Sequence, residues 1–206
     1  MSVIELSGLT KDYGQGRGIF DLDLKIEEGE MLGYAGTNGS GKTTTIRSIL
    51  GFLRPTRGEA QVLGMESFSH ASEVAGKIGY VPGEIAFPDL RTGTEFLKSQ
   101  AEFLGLTDLR YADELVSRLQ LDPRANLKRM SKGMKQKTAL AAALMKDAPI
   151  LILDEPTTGL DPLMRETFLD LIRHEHARGK TILMSSHSFE ELETTCDRVA
   201  LFSDGH

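Results

Sequence analysis

Cysteine is nearly absent from this chain of 206 residues: Cys196 stands alone, which excludes an intramolecular disulfide framework and suits a reducing compartment. Long apolar runs are missing too. The stretches Ala139 to Leu144 and Ile150 to Leu153 fall far short of the ~18 residues a bilayer span needs, so any membrane role is expected to come through a partner. Residues Met1 to Thr10 alternate apolar and polar side chains and lack the basic leader and apolar core of a secretory signal. There is no basic surplus. With 24 Lys and Arg against 30 Asp and Glu, the net charge of −6 argues against a general nucleic-acid binder. Repeats and low-complexity segments are also lacking. What remains is a globular composition, 40% hydrophobic and 26% charged, with room for one large domain or one domain plus a small subdomain.

The order of patterns suggests an α/β chain. Val3 to Leu6 reads as a strand, and Phe20, Leu22, Leu24 and Ile26 alternate with polar and charged residues at strand period. The glycine-rich turn from Lys11 to Gly18 lies between them. Met31 to Ala35 is a short apolar strand, followed by a glycine loop and a helix over Thr43 to Leu50. A strand is expected over Ile78 to Val81. From Glu84 to Lys146 the texture is helical: Thr92 with Glu95 forms a capping box, a second helix covers Asp108 to Leu119, and Ser131 caps a third. Ile150 to Leu153 is a buried strand. Asp161 caps a helix with Pro162 at its first position, ended by Gly179. Thr181 to Ser185 and Val199 to Phe202 are strands, with a capping box at Ser188 and Glu191 between them. Strands alternating with helices indicate a mostly parallel sheet.

Two segments carry phosphate chemistry. Gly36-Thr37-Asn38-Gly39-Ser40-Gly41-Lys42-Thr43 matches the P-loop pattern between a strand and a helix. Its glycines let several backbone N–H groups turn toward one phosphate chain, and the following helix adds its positive end. Lys42 is expected at the β- and γ-phosphates, the Thr43 hydroxyl on Mg²⁺, and Thr44 in the same cradle. Leu151-Ile152-Leu153-Asp154-Glu155 is the second segment. An apolar strand would deliver Asp154 to the magnesium shell and Glu155 to a water aimed at the γ-phosphate. Adjacent carboxylates at a buried strand end would otherwise repel one another, and a cation relieves that. These two segments imply a nucleoside triphosphatase and nothing finer.

Further motifs resemble those of the ABC ATPase family, in the family's order and over nearly the whole chain. Met130-Ser131-Lys132-Gly133-Met134-Lys135-Gln136 resembles the L-S-G-G-Q signature. Pro156-Thr157-Thr158-Gly159-Leu160-Asp161-Pro162 resembles the D-loop and its approach, His187 matches the switch histidine, and Tyr13 matches the aromatic that stacks on adenine. The resemblance implies a P-loop fold with a mostly parallel core, an antiparallel N-terminal β portion and an inserted helical subdomain. The expected division is a core of 1–83 and 147–206 with a helical subdomain at roughly 84–146. ATP and Mg²⁺ are the implied cofactors. The implied roles are Glu155, His187 and Lys42 in catalysis, and Ser131, Gly133 and Asp161 at the nucleotide of a second subunit. The expected partners are a second ATPase subunit, as homodimer or heterodimer, and a separate transmembrane permease. The expected location is peripheral, at the cytoplasmic face of the membrane. The motif wording is most similar to single-domain ATPases of bacterial exporters.

Three departures from the family pattern stand out. Gly83 lies near the place of a usual glutamine, leaving its oxygen to Glu84 or to water. Lys132 replaces the first signature glycine, and Met134 stands where glutamine is usual. Weak turnover, as in a nucleotide-gated regulatory subunit, is the alternative these raise. A soluble relative acting on ribosomes or DNA is disfavoured by length and charge, and a small-molecule kinase leaves the signature and His187 without a role. The segment His174-Glu175-His176 reads as a solvated face, Gly14, Gly16 and Gly18 as a turn, and Cys196 as a small buried hydrophobe. Family members usually extend some tens of residues beyond Gly205-His206, so a longer C-terminal segment is expected of a full-length relative.

Overall fold

The computed structural model describes residues 1–203 and 205. The chain opens with two long strands, β1 (Ser2–Asp12) and β2 (Gly18–Glu27), paired antiparallel with Ile4 opposite Ile26 and Leu6 opposite Leu24. After β3 (Met31–Gly36) and α1 (Lys42–Ile49), β4 (Arg57–Val62) returns to the other edge of β1, and the short β5 (Met65–Glu66) completes an antiparallel sheet of order β2-β1-β4-β5. The helix α2 (Ala71–Gly76) leads into β6 (Ile78–Val81). Three helices follow, α3 (Gly93–Phe103), α4 (Arg110–Arg118) and α5 (Lys132–Met145), with a 3-10 turn at Leu127–Arg129 before the last. Then come β7 (Ile150–Leu153), α6 (Pro162–Ala177), β8 (Thr181–Ser186), α7 (Phe189–Thr195) and β9 (Arg198–Phe202). The second sheet is parallel throughout, in the order β6-β7-β8-β3-β9.

Every residue of β7 and β8 is buried, as a strand covered on both faces requires, and their continuous apolar runs follow from that. Period-two alternation splits them between two cores. Leu151, Leu153, Ile182 and Met184 face the layer of α5 and α6 together with Phe168 and Leu140. Ile150, Ile152 and Leu183 face α1 and the antiparallel sheet, where they meet Ile46, Ile49, Leu6 and Ile26. The parallel sheet is thus the middle layer.

Helix starts follow their capping residues. Thr92, Ser131, Asp161 and Ser188 each accept, through a side-chain oxygen, the N–H three residues on. The sequence pattern gives no element over 57–76, where β4, β5 and α2 form. In β4 only Ala60 and Val62 are buried, so the alternation is too short to read, and pairing with the distant β1 settles the conformation.

One expectation is overturned. Glu175 is fully buried rather than solvated: Tyr111 Oη donates to its Oε1 at 2.6 Å, and Arg178 Nη1 and Lys180 Nζ stand 3.0 and 3.3 Å from its Oε2. His176 is also engaged, with Nε2 at 2.9 Å from the Gly29 carbonyl and 3.1 Å from Asp197 Oδ2. Cys196 is half-buried against Gly33, and burial pushes its thiol pKa up to about 12.

Candidate functional site

Strands β3, β8 and β7 are neighbours in the parallel sheet, so the segments leaving their carboxyl ends converge. Ligands of open α/β sheets bind at that edge. The loop after β3 carries the P-loop residues, the turn after β7 carries Asp154 and Glu155, and the residue after β8 is His187. Sheet order alone brings together three motifs that are far apart in sequence.

The loop closes on itself tightly. Gly41 has φ +116, and a Cβ there would lie 2.6 Å from Ile19 Cγ2 and 2.8 Å from Phe202 Cε1, so no other residue fits. Ser40 N–H donates to the Thr37 carbonyl at 3.2 Å. Lys42, only 5% exposed, folds back along the loop and donates from Nζ to the carbonyls of Gly36 at 2.5 Å and Thr37 at 3.0 Å. Two carbonyl partners satisfy this nearly buried ammonium beside the loop mouth. A cleft of about 200 Å³ is lined by Asn38, Gly39, Gly41, Lys42, Thr43 and Thr44, with Glu155 at its edge.

The acidic pair sits opposite. Thr43 Oγ1 donates to Asp154 Oδ2 at 3.0 Å, joining the P-loop helix to the strand end. Ser185, in β8 between the two, donates to Asp154 Oδ1 at 2.7 Å, and its oxygen accepts the Glu155 N–H at 2.9 Å. One hydroxyl therefore fixes both carboxylate-bearing residues. Glu155 has φ +49, a left-handed conformation that a non-glycine residue keeps only when its surroundings hold it. Its Oε2 is held by Thr158 Oγ1 at 3.0 Å and His187 Nδ1 at 2.9 Å, and its Oε1 stands 3.2 Å from Lys42 Nζ. Burial raises the Glu155 pKa, but the hydrogen bonds from His187 and Thr158 and the Lys42 charge outweigh it, so the carboxyl lies below its usual value. It is ionised at neutral pH. Glu155 Oε1 is buried beside the Lys42 ammonium and accepts no well-aligned hydrogen bond from the described residues. It has capacity to accept a proton or a water hydrogen.

A larger cleft of about 510 Å³ runs along this edge, and Thr43, Asp154, Glu155, His187, Gly83, Glu84 and Lys132 are among its lining residues. Gly83 backs directly onto the aspartate, since a Cβ there would come 3.2 Å from the Asp154 carbonyl and 3.7 Å from Oδ2. Beside it, burial and then the Asp154 charge push Tyr80 up to about 12.

Not every expected site residue meets this edge. Tyr13 is half-exposed on the turn between β1 and β2, with Lys11 Nζ 5.7 Å from its ring centre, and lines neither cleft. Ser131 caps α5, accepting the Met134 N–H at 3.3 Å, and Asp161 caps α6, accepting the Met164 N–H at 2.9 Å. Gly133 touches α6, where an added Cβ would lie 2.5 Å from Met164 Sδ. Gly36 and Ser40 shape the loop, with the Ser40 hydroxyl 2.6 Å from the Cβ position of Gly36. Ser185 and Thr158 are residues that the sequence pattern misses. The only sign of Ser185 is a hydroxyl at the end of an otherwise apolar buried strand.

The donor set suits a hard divalent cation. A threonine hydroxyl and a carboxylate converge at 3.0 Å, and Mg²⁺ takes one or two such protein oxygens and completes its shell with water and substrate phosphates.

Comparison with known proteins agrees with this geometry. The family model described as ABC transporter matches residues 19–158. The bacitracin transport ATP-binding protein BcrA of Bacillus licheniformis is 35% identical over 208 residues, covering 99% of this chain and 68% of its own length. The Nod factor export ATP-binding protein I of Rhizobium meliloti is 38% identical over 213 residues, covering 98% of this chain and 62% of the relative. The chain thus spans about two thirds of the length of such relatives. Among solved structures, an ATP-binding subunit of an ABC transporter superposes with TM-score 0.90 at 29% identity, over 99% of this chain and 87% of that one. A dimeric ATP-binding cassette in a post-hydrolysis state, bound to ADP and Pi, superposes with TM-score 0.85 at 25% identity, over 98% and 95% of the two chains.

Proposed function

The chain belongs to the ABC transporter family as an ATP-binding, ATP-hydrolysing subunit, and on that premise we propose that it powers an exporter by closing a dimer around ATP. The observation that carries the reading is the meeting of Lys42, Thr43, Asp154, Glu155 and His187 at one sheet edge.

In this reading the backbone of Gly36 to Thr44 and the Lys42 ammonium hold the triphosphate. Lys42 exchanges its loop carbonyls for phosphate oxygens, a charge-assisted contact of the stronger kind. Thr43 and Asp154 hold Mg²⁺, which when bound neutralises developing phosphate charge. Glu155 orients a water and accepts its proton at Oε1. The water oxygen bonds to the γ-phosphorus while the bond to the β-bridging oxygen breaks, leaving ADP and inorganic phosphate. His187 fixes Glu155 Oε2 through its Nδ1.

Ser131 and Gly133, at the start of α5, and Asp161, at the start of α6, serve the nucleotide held by a second subunit. None of the three lines the clefts beside its own P-loop, which supports that assignment. Tyr13 stacks on adenine with its exposed ring. The 84–146 helical segment acts as a subdomain that receives the permease. A groove of about 240 Å³ between β6, α3 and α5, lined by Tyr80, Ile85, Phe87, Phe96 and Phe103, lies beside the Gly83 cleft and supports this placement. Among the described residues no helix is long and apolar enough to cross a membrane, and we place the protein at the cytoplasmic face, held by its permease.

Size-exclusion chromatography of Glu155→Gln with and without MgATP tests the reading. An ATP-dependent shift to a dimer, abolished by Lys42→Ala, is expected. A variant that binds MgATP tightly and stays monomeric at every concentration contradicts the dimer. Charge reversal at exposed Arg91, or Phe103→Asp, is expected to weaken permease assembly. Complexes that form and couple normally with both variants contradict the docking site.

A further inference from the structure

Lys132 begins α5, yet its side chain lies along the turn that follows Glu155. A Cβ placed on Gly159, whose φ is +77, would sit 3.0, 3.2 and 3.4 Å from Nζ, Cδ and Cε of Lys132. The outer lysine stem therefore lies over Gly159, close enough that a side chain there would press on it, and the positive φ favours glycine at the same position. Below the stem the turn is closed by Thr158 N–H to the Glu155 carbonyl at 3.3 Å and Leu160 N–H to the Thr157 carbonyl at 3.1 Å. At its far end Thr158 Oγ1 donates to Glu155 Oε2 at 3.0 Å.

Helix stability does not account for the residue. A cation in the first turn opposes the helix dipole, and α5 has no acidic residue there to offset it. Nor does an ion pair: the Lys132 ammonium has no carboxylate or hydrogen-bond partner among the described residues. What the structure gives this side chain is its contact with Gly159 and a place on the wall of the cleft that holds Asp154, Glu155 and His187.

We propose that Lys132 is a positioning residue for hydrolysis: its stem, packed on Gly159, holds the Thr158–Gly159 turn so that Thr158 stays on Glu155. It thereby passes the placement of the start of α5 to the carboxylate facing the cleft. The proposal rests on the ATPase reading above. A reacting group displaced by a fraction of an ångström loses rate while leaving ground-state binding alone, so the effect belongs in kcat.

The test is steady-state ATP hydrolysis by the full chain, at protein concentrations where the rate per chain has levelled off. Wild type, Lys132→Ala, Lys132→Met, Thr158→Ala and the double variant Lys132→Ala/Thr158→Ala are compared, with Glu155→Gln as the zero. Lys132→Ala is expected to lower kcat about tenfold, with the KM and the equilibrium affinity for ATP changed less than about twofold. Lys132→Met keeps the stem without the charge and is expected to restore kcat to within about twofold of wild type. The double variant is expected to fall no further than the lower single variant, because both act through one contact. Wild-type kcat in Lys132→Ala, independent effects in the double variant, or failure of methionine to rescue would each overturn the proposal and leave the ATPase reading standing. A wild-type rate no higher than that of Glu155→Gln would overturn both.

Discussion

Ser185 shows how much one hydroxyl can hold. It donates to Asp154 Oδ1 and accepts from the Glu155 N–H, and both residues lie at a buried strand end. Ser185→Ala leaves an acceptor and a donor without partners, which costs about 1–3 kcal/mol per buried group. We expect a lower Tm and weaker Mg²⁺-dependent ATP binding, followed by calorimetry and titration; an unchanged Tm would contradict the role. Gly133→Ala places a methyl 2.5 Å from Met164 Sδ at the contact of α5 with α6 and is expected to destabilise by about 1–3 kcal/mol in urea unfolding. The residues legible in the sequence were those whose type is forced by chemistry at fixed spacing, namely the glycines, lysine and threonine of the P-loop and the paired carboxylates. Ser185 and Thr158 were not, because a serine in a strand and a threonine in a turn have many uses. The partners of Ser185 are set by sheet order, and that of Thr158 by the fold of a local turn.

At the scale of elements, capping residues proved the most readable signals. Thr92, Ser131, Asp161 and Ser188 each start the helix their sequence context predicts. The burial of Glu175 was hidden. Its helix-end setting between two histidines looks solvent-facing, but α4 lays Tyr111 across it and the turn before β8 brings Lys180 beneath it. This cluster ties α4 to α6 and β8. Glu175→Ala leaves the nearly buried Lys180 without one of its two carboxylates and the Tyr111 hydroxyl without its acceptor, and breaking such a cluster costs about 3–5 kcal/mol. Urea unfolding should show that loss, and faster amide exchange in α4 should localise it; protection of α4 equal to wild type would mean that Tyr111 does not tether the helix.

For the whole molecule, stability near neutral pH includes ion pairs that acid removes. The hydrogen bond from Lys180 lowers the Asp147 pKa, with burial opposing and the Arg178 charge assisting. A depressed folded pKa stabilises above the unfolded value of about 3.9, and that contribution disappears as pH falls through the folded value. Asp147→Asn should therefore lower Tm at pH 7, with the gap from wild type closing as the pH is taken below about 4. A gap that stays constant with pH would assign the loss to packing instead. The layered α/β architecture was readable from alternating strands and helices, whereas the pairing of β4 with β1 was not, since only long-range contact specifies it.

The central claim is that Glu155 is the base of an ATPase that works as a dimer. Steady-state ATP hydrolysis should be measured over a range of protein concentrations, with wild type beside Glu155→Gln. The account predicts a wild-type rate that rises more than linearly with protein and a fall of at least about 100-fold in the variant while ATP binding persists. Equal rates in the two proteins would contradict the role of Glu155, and a strictly linear rate down to the lowest concentration would contradict the dimer.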